Sequence, residues 1–238
     1  MPIGNRIFLK RPMPDRALVQ AFAQIPTANV ADVMNRMYLM QPRIRLMSNP
    51  PGRIMAGAAL TVQSPGGDNL MLHYALDMAA EGDVLVVANN EESARALMGE
   101  VMLTYLFGCR HAAGIVLDGP IRDSDAVAQM PYAVYANGVT SAGPFKNGPG
   151  EVNAPVSCGG VCVHPGDIIL GDADGVLVIP AADARGILSA AEKVQAADAV
   201  KVQRAAIGAN NRSWVQTTVA DKGVQILDTA YGALKERD

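Results

Sequence analysis

An arginine and an aspartate stand side by side at Arg122 and Asp123, shortly after the apolar run GIVLD at 114–118. The run is typical of a buried strand that ends at Asp118, and ligands of parallel α/β sheets gather at the carboxyl ends of strands. Consecutive residues of a loop point in different directions, so Arg122 could hold an anion while Asp123 holds a cation. The alternative is a surface ion pair that orders the loop.

A glycine and a glutamate, Gly99 and Glu100, precede this pair in the chain. They could form the turn into a helix N-terminus, where the backbone N–H groups of Val101 and Met102 would be free to receive an anion. Glu100 would add a carboxylate close by. The alternative is an ordinary helical glutamate on a solvated face.

The histidines and cysteines are scattered, at positions His73, His111, His164, Cys109, Cys158 and Cys162. The histidines lack HxH or HExxH spacing and are expected to be structural rather than metal ligands. A zinc site from Cys158, Cys162 and His164 has no evident fourth ligand, so buried free thiols in a reducing cytoplasm are favoured. Motifs for a serine nucleophile, a dinucleotide and a P-loop are not found.

The composition is that of a protein with a sizeable core, since half of the 238 residues are hydrophobic and 18% are charged. The net charge is −3, and this lack of basic excess argues against nucleic-acid binding. The N-terminus has no apolar region of a signal peptide, and no run of 18 apolar residues occurs. We therefore expect a cytoplasmic protein that is not bound to a membrane.

Helical and strand patterns alternate through the first 131 residues, which predicts parallel pairing and the α/β class. The predicted helices cover 15–24, 27–36, 69–79, 92–107 with an interruption at 99–100, and a short segment that stops at Pro131. The predicted strands cover 58–63, 84–88 and 114–118. Thr27 or Asn29 is expected to cap the second helix and Asp68 the third. Residues 43–54 are interpreted as a loop.

The pattern changes after Pro131 to short strands separated by glycines. Strands are predicted at 161–164, 168–170 and 175–179, and a long loop at 137–155. A helix should follow Pro180 and end near Ile207, with Gly208 as its C′ residue. The predicted organisation is an α/β domain with N-terminal helices over 1–180 and a C-terminal helical extension over 181–238.

The run GIVLDGPIRD at 114–123 resembles the signature of the RraA-like family. This family includes regulators of ribonuclease E activity and class II 4-hydroxy-4-methyl-2-oxoglutarate/4-carboxy-4-hydroxy-2-oxoadipate aldolases. Further matches keep their order and approximate spacing at 27–34, 57–76, 81–87, 99–100 and 152–180. The resemblance covers about residues 26–180.

The resemblance implies a β/β/α sandwich similar to the swivelling phosphohistidine-domain fold. It also implies homotrimers or homohexamers with active sites between subunits. Two departures affect the expected shape of the substrate pocket. The segment at 89–92 reads NNEE where the family is often glycine-rich, and the stretch around 108–110 is one residue longer than usual.

Site roles follow from the resemblance as well. Asp123 matches a direct ligand of a divalent metal, Mg²⁺ or Mn²⁺, and Arg122 matches the arginine that contacts the oxygen of pyruvate or its enolate. Glu100 matches an acid that holds metal-bound water.

The turn at Gly99 and the backbone N–H groups of Val101 and Met102 would bind the pyruvate carboxylate. A further acid would come from the C-terminal helix of a neighbouring subunit, and Glu192 and Asp198 are both candidates.

The function implied is metal-dependent cleavage of a 4-hydroxy-2-oxo acid to pyruvate and a second oxo acid. Oxaloacetate decarboxylation would form the same enolate and is expected as a side activity. One alternative is a non-catalytic regulator that binds ribonuclease E, and another is a related lyase for a different oxo acid. The extension past Pro180 favours the longer, aldolase-like members, because an acid acting in trans can come from it.

Overall fold

The computed structural model describes residues 2–52, 54–90 and 94–231. The chain divides into two compact units, residues 1–195 and 196–238. Seven helices occur in the described residues: α1 (Arg16–Phe22), α2 (Thr27–Val33), α3 (Leu70–Met78), α4 (Glu100–Gly108), α5 (Ser124–Val127), α6 (Ala184–Ala206) and α7 (Ser213–Asp221). The strands are β1 (Asn5–Ile7), β2 (Arg45–Leu46), β3 (Met55–Gln63), β4 (Asp83–Ala88), β5 (Gly114–Ile121), β6 (Ala133–Val139), β7 (Gly150–Val152), β8 (Val156–Cys158), β9 (Val161–Val163), β10 (Ile168–Asp172) and β11 (Gly175–Ile179).

One large sheet organises the first unit, and its described strands run in the order β1-β7-β3-β4-β5-β6-β2. Strands β3, β4, β5 and β6 are parallel neighbours, which confirms the predicted α/β class. Strand β10 extends the sheet antiparallel to β3 and pairs with β11. Strands β8 and β9 form a separate hairpin. The carboxyl ends of the four parallel strands therefore lie along one edge of the sheet.

The two faces of the sheet bury alternate side chains of the same strands. On one face, Leu85 of β4 lies in an apolar cluster with Leu72 of α3 and Leu103 of α4. On the other face, Val84 belongs to a second cluster, which includes Cys158 of the β8–β9 hairpin. Every residue of β4 and β5 is buried, so these strands form a rigid support for the loops at their ends.

A third apolar cluster joins the N-terminal helices to the β10–β11 pair. Phe22 of α1 and Val30 of α2 are fully buried there, with Leu177 of β11 and Ala191 of α6. The predicted first helix is confirmed, and Asp15 caps it by accepting the N–H of Ala17.

The second helix differs from its prediction at both ends. Pro26 occupies its N-cap position, so neither Thr27 nor Asn29 is the cap. The Thr27 hydroxyl donates instead to the carboxylate of Asp172, at 2.7 Å. The helix ends at Val33 rather than near Arg36, because Asn35 and Arg36 take positive φ values of 54° and 61°.

The prediction of one interrupted helix over 92–107 is wrong before Gly99. Residues 91–93 lie outside the described residues, and 94–99 are not helical. The N–H of Leu97 donates to the carbonyl of Pro120 at 2.9 Å, and Met98 pairs with Ile121. Strand β5 accordingly runs on to Ile121, beyond the predicted end at Asp118. Pairing with a distant strand end has overridden the local helical pattern.

Two predicted loops contain short strands. Strand β7 lies within 137–155 because it pairs with β1 and β3, and β2 lies within 43–54 because it pairs with β6. The expectation of buried thiols holds for Cys158 only, since Cys109 and Cys162 are exposed. The pKa of the Cys158 thiol is raised, chiefly by its burial.

The helix predicted after Pro180 is α6, and Gly208 follows it with the positive φ of 66° expected for its position. In the second unit, helix α7 has no buried residue. Among the described residues, no helix combines the length and apolar composition that crossing a bilayer needs.

Candidate functional site

The segment 96–99 lies against the last residues of β5 and brings two distant turns together. The N–H of Arg122 donates to the carbonyl of Met98 at 3.0 Å, and the Leu97–Pro120 bond lies one step earlier. Helix α4 then starts at Glu100 with Gly99 as its N-cap. The predicted turn into a helix N-terminus is therefore confirmed, and it faces Arg122 and Asp123.

Asp123 turns its carboxylate back towards this helix start. Its backbone is left-handed, with φ 61° and ψ 41°, a conformation that aspartate tolerates better than most residues. Its Oδ2 accepts the N–H of Glu100 at 3.0 Å and lies 3.6 Å from Nε of Arg122. The side chains of Arg122 and Asp123 are 50% and 39% exposed, so both can meet a ligand.

Glycine is needed at position 99 because a side chain there would collide with neighbouring atoms, and not because of its backbone conformation. Its φ of −150° is extended and open to any residue. A Cβ at this position would collide with Oδ2 of Asp123 and lie 2.8 Å from Cγ of Arg122. The absence of a side chain thus lets Arg122 and Asp123 approach the helix N-terminus.

A cavity of about 260 Å³ opens beside this arrangement. Its near wall is formed by Gly99, Val101, Met102, Arg122 and Asp123. The first-turn N–H groups of α4 have no intrahelical acceptor and carry the positive end of the helix dipole. The near wall therefore combines a guanidinium, a carboxylate and an anion-binding helix start.

The cavity lining also includes polar residues that the sequence interpretation missed: Asn69, His73 and Lys146. Asn69 is 1% exposed, and its Nδ2 donates to the carbonyl of Leu97 at 2.7 Å. Its Oδ1 is buried and has no hydrogen-bond partner among the described residues. Asn69 follows the carboxyl end of β3, so the strand-end rule that selected Arg122 would also have found it.

His73 was expected to be structural, yet it is exposed and lines the cavity. Partial burial of the imidazole lowers the pKa of His73, and the positive charge of Lys146 lowers it further. The negative charge of Asp77 acts in the opposite direction. The neutral imidazole is therefore the main form at pH 7.

The remaining predicted site residues lie outside the cavity lining. The Glu100 side chain is exposed at the start of α4, although its N–H binds Asp123. Glu192 lies on the part of α6 that belongs to the first unit, and Asp198 lies in the second unit, where it contacts Lys201 at 2.7 Å.

The oxygen donors at the cavity, chiefly the carboxylate of Asp123, suit a cation that needs few protein ligands. Within the described ranges, no three histidine, cysteine, aspartate or glutamate side chains form a metal-binding cluster. Asp123 instead offers a part-exposed carboxylate in a cavity with room for water and substrate oxygens. Mg²⁺ is typically held in this way, by one or two carboxylates together with water and substrate.

The fold and site define an α/β protein with a cleft at the ends of parallel strands, where the guanidinium of Arg122 and the carboxylate of Asp123 lie beside a helix N-terminus. A sequence profile of the RraA-like family, described as Aldolase/RraA, matches residues 27–178. The chain belongs to this family.

Some known proteins similar to this chain are named as enzymes, and others are described as regulators. A protein of Halalkalibacterium halodurans named "Putative 4-hydroxy-4-methyl-2-oxoglutarate aldolase" is 37% identical over 180 residues, which is 76% of this chain and 84% of the relative. The structure of Streptomyces coelicolor RraAS2, described as an unusual member of the RNase ES inhibitor RraA protein family, superposes with a TM-score of 0.70 and 26% identity, covering 80% and 99% of the two chains. An uncharacterized protein of Pseudomonas syringae shares the fold, with a TM-score of 0.71, 21% identity and coverage of 84% and 97%.

Proposed function

We propose that this protein is a class II aldolase, a carbon–carbon lyase that cleaves a 4-hydroxy-2-oxo acid of the 4-hydroxy-4-methyl-2-oxoglutarate type. The products are pyruvate and a second oxo acid. The observation that carries the proposal is the placement of Arg122 and Asp123 against the N-terminus of α4 in one cavity. The name of the Halalkalibacterium halodurans relative supports the same reaction.

The 2-oxo acid end of the substrate fits the near wall. Its carboxylate would accept the N–H groups of Val101 and Met102, where the helix dipole favours negative charge. The guanidinium of Arg122 would donate to the 2-oxo oxygen. Arginine stays charged at any working pH and offers several donors in a fixed plane, so it can stabilise the enolate charge that develops there.

Asp123 would hold the divalent cation, Mg²⁺ or Mn²⁺, because its carboxylate is a hard oxygen ligand that faces the cavity. Such a cation, when bound, supplies Lewis-acid polarisation of the 2-oxo group. The N–H of Glu100 fixes one carboxylate oxygen of Asp123, which leaves the other oxygen available.

Cleavage requires one proton to leave the 4-hydroxyl and one to arrive at C3. As the C3–C4 bond breaks, the O–H electrons form the carbonyl of the second oxo acid, and the bond pair passes to the pyruvate enolate. We propose that Glu100, together with Glu192 or Asp198 from a neighbouring subunit, relays the hydroxyl proton through water. Loss of carbon dioxide from oxaloacetate forms the same enolate, so oxaloacetate decarboxylation is the expected side activity.

Lys146 suits the other end of the substrate. Lys146, which lines the cavity, offers a positive charge to a second carboxylate. A substrate with two carboxylates would thus meet the helix N-terminus with one carboxylate and Lys146 with the other. This favours dicarboxylic over monocarboxylic hydroxy-oxo acids.

Several broader expectations remain part of the proposal. They are a homotrimer or homohexamer with sites between subunits, a cytoplasmic location, no nucleic-acid or membrane partner, and a likeness to the swivelling phosphohistidine-domain fold. The competing function is a non-catalytic regulator that binds ribonuclease E, which the description of Streptomyces coelicolor RraAS2 favours.

A coupled assay separates the two functions. Pyruvate release from 4-hydroxy-4-methyl-2-oxoglutarate is followed with lactate dehydrogenase, with Mg²⁺ and with excess EDTA. We expect turnover that EDTA removes and Mg²⁺ restores, and that Asp123→Ala abolishes. Asp125→Ala is the matched control. Asp125 is an exposed carboxylate in α5, the short helix that begins directly after Asp123, and it does not line the cavity.

Full turnover by Asp123→Ala would contradict the aldolase mechanism. Absence of pyruvate release by the native protein, together with inhibition of ribonuclease E cleavage in vitro, would support the regulator.

A further inference from the structure

A loop over residues 140–148, here called the strap, crosses one side of the cavity between β6 and β7. Its residues Pro144 and Lys146 line the cavity. At Gly143 it passes beside the near wall, where a Cβ would lie 3.8 Å from Nη1 of Arg122. The strap therefore passes beside Arg122 and supplies the backbone of Lys146, so its path sets where the Lys146 side chain enters the cavity.

A buried carboxylate fastens the far end of the strap. Asp68 is 3% exposed, and its Oδ2 accepts the N–H groups of Asn147 and Gly148 at 2.5 and 3.0 Å. Its Oδ1 accepts the N–H of Leu70, the first residue of α3, at 2.9 Å. The sequence predicts that Asp68 caps this helix, whereas Asn69 occupies the N-cap position. The Asp68 side chain binds both the helix start and the strap, and so ties the two together.

A second set of contacts fastens the strap on the other side of Lys146. The guanidinium of Arg95 lies 3.9 Å from the ring centroid of Phe145, and its Nη1 donates to the carbonyl of Gly143 at 2.8 Å. Backbone bonds join Phe145 to Gly67 and Asn69, at 2.8 and 3.0 Å. Both neighbours of Lys146 in the chain are thus held, and only its side chain is left to reach the cavity.

We propose that Asp68 is a positioning residue that determines substrate specificity by holding the backbone from which Lys146 reaches the second carboxylate. This inference rests on the proposed function. Lysine is a flexible chain ending in a point charge, so its ammonium is placed only as well as its backbone. In Asp68→Asn, an NH₂ group replaces one carboxylate oxygen and cannot accept an N–H, which releases the strap or the helix start. In Asp68→Ala both acceptor oxygens are lost, so the strap is released in every case.

The test compares two substrates that differ in the second carboxylate, 4-hydroxy-4-methyl-2-oxoglutarate and 4-hydroxy-2-oxopentanoate. We expect the native protein to prefer the dicarboxylate in kcat/KM. Asp68→Asn should reduce this preference by about tenfold, mainly through a higher KM for the dicarboxylate. In a Lys146→Met background, Asp68→Asn should leave the remaining preference unchanged, since residues that act through one another are not additive.

Asp167→Asn is the matched control for a general loss of structure. Asp167 is also a buried carboxylate, 7% exposed, that accepts backbone N–H groups, from His164 and Ala181, but it does not line the cavity. Asp167→Asn should leave the substrate preference unchanged. An unchanged preference in both Asp68→Asn and Asp68→Ala, or an equal change with and without Lys146, would overturn the positioning role.

Calorimetric binding of 2-oxoglutarate and pyruvate with Mg²⁺ separates this inference from the proposed function. If the native protein cleaves neither hydroxy-oxo acid, the aldolase function fails. The positioning role then stands if Asp68→Asn weakens 2-oxoglutarate binding about tenfold more than pyruvate binding. It falls if both affinities change equally or if neither compound binds.

Discussion

Replacing Gly99 with alanine tests whether close approach to the helix start assembles the site. The added Cβ would lie 2.8 Å from Cγ of Arg122 and 3.1 Å from Cγ of Asp123, and closer still to Oδ2 of Asp123. Carbon contacts in proteins are usually 3.5–4.0 Å, so the carboxylate must retreat by about 1 Å. That shift breaks its 3.0 Å bond to the N–H of Glu100. A displacement of this size lowers catalytic rates about 100-fold.

The same substitution should have little effect on folding. Arg122 and Asp123 are 50% and 39% exposed, so they can move into solvent. We expect a loss of unfolding free energy of about 1 kcal/mol, at the low end for overpacking. The assay is kcat for pyruvate release, with urea unfolding measured in parallel.

Gly108→Ala is the matched control at the other end of α4, because a Cβ there meets no atom within 4 Å. Its turnover should equal that of the native protein. Turnover of Gly99→Ala within threefold of native, with native stability, would refute the reasoning that this contact positions Asp123.

Three further predictions concern charge. Arg122→Lys keeps the positive charge but loses the planar donors, so kcat in the coupled assay should fall about 100-fold, and a native kcat would contradict the role of the guanidinium. Because the His73 pKa is lowered in the folded protein, its NMR titration midpoint should lie below about 6.5 and rise in Lys146→Met. Because this pKa is lowered, the His73 contribution to stability is present above about pH 6.5 and is lost as the pH falls. Measuring Tm against pH for the native protein and for His73→Gln will check this. Arg43→Met leaves the buried carboxylate of Asp118 without the guanidinium that lies 2.8 Å away, and urea unfolding should show a loss of about 3 kcal/mol.

Local patterns were reliable where each residue's role depends on its near neighbours in the chain. The helical pattern over 15–24 predicted α1, which buries Leu18 and Phe22, and the alternation of strands and helices predicted the parallel sheet. The turn at Gly99 was recognised as a helix start for the same reason, although the helix predicted to precede it was wrong.

Distant pairing decided what the local patterns missed. Segment 94–99 is not helical because its backbone pairs with the end of β5, about 20 residues later. Strand β7 forms because β1, from the opposite end of the first unit, supplies a parallel partner. Such pairings depend on where the whole sheet places two segments, which no window of sequence contains.

In the candidate site too, some residues could be predicted from the sequence and others were found only in the tertiary structure. Residue type and order marked Arg122, Asp123 and the Gly99–Glu100 turn as candidates, because guanidinium, carboxylate and free N–H groups have recognisable chemistry at strand and helix ends. The resemblance to the RraA-like family then supplied their expected roles. Only the tertiary structure showed that Asn69 and Lys146 face the same cavity, and that Asp68 holds the strap. Their proximity arises from packing between elements more than 70 residues apart, and that packing is a property of the folded chain as a whole.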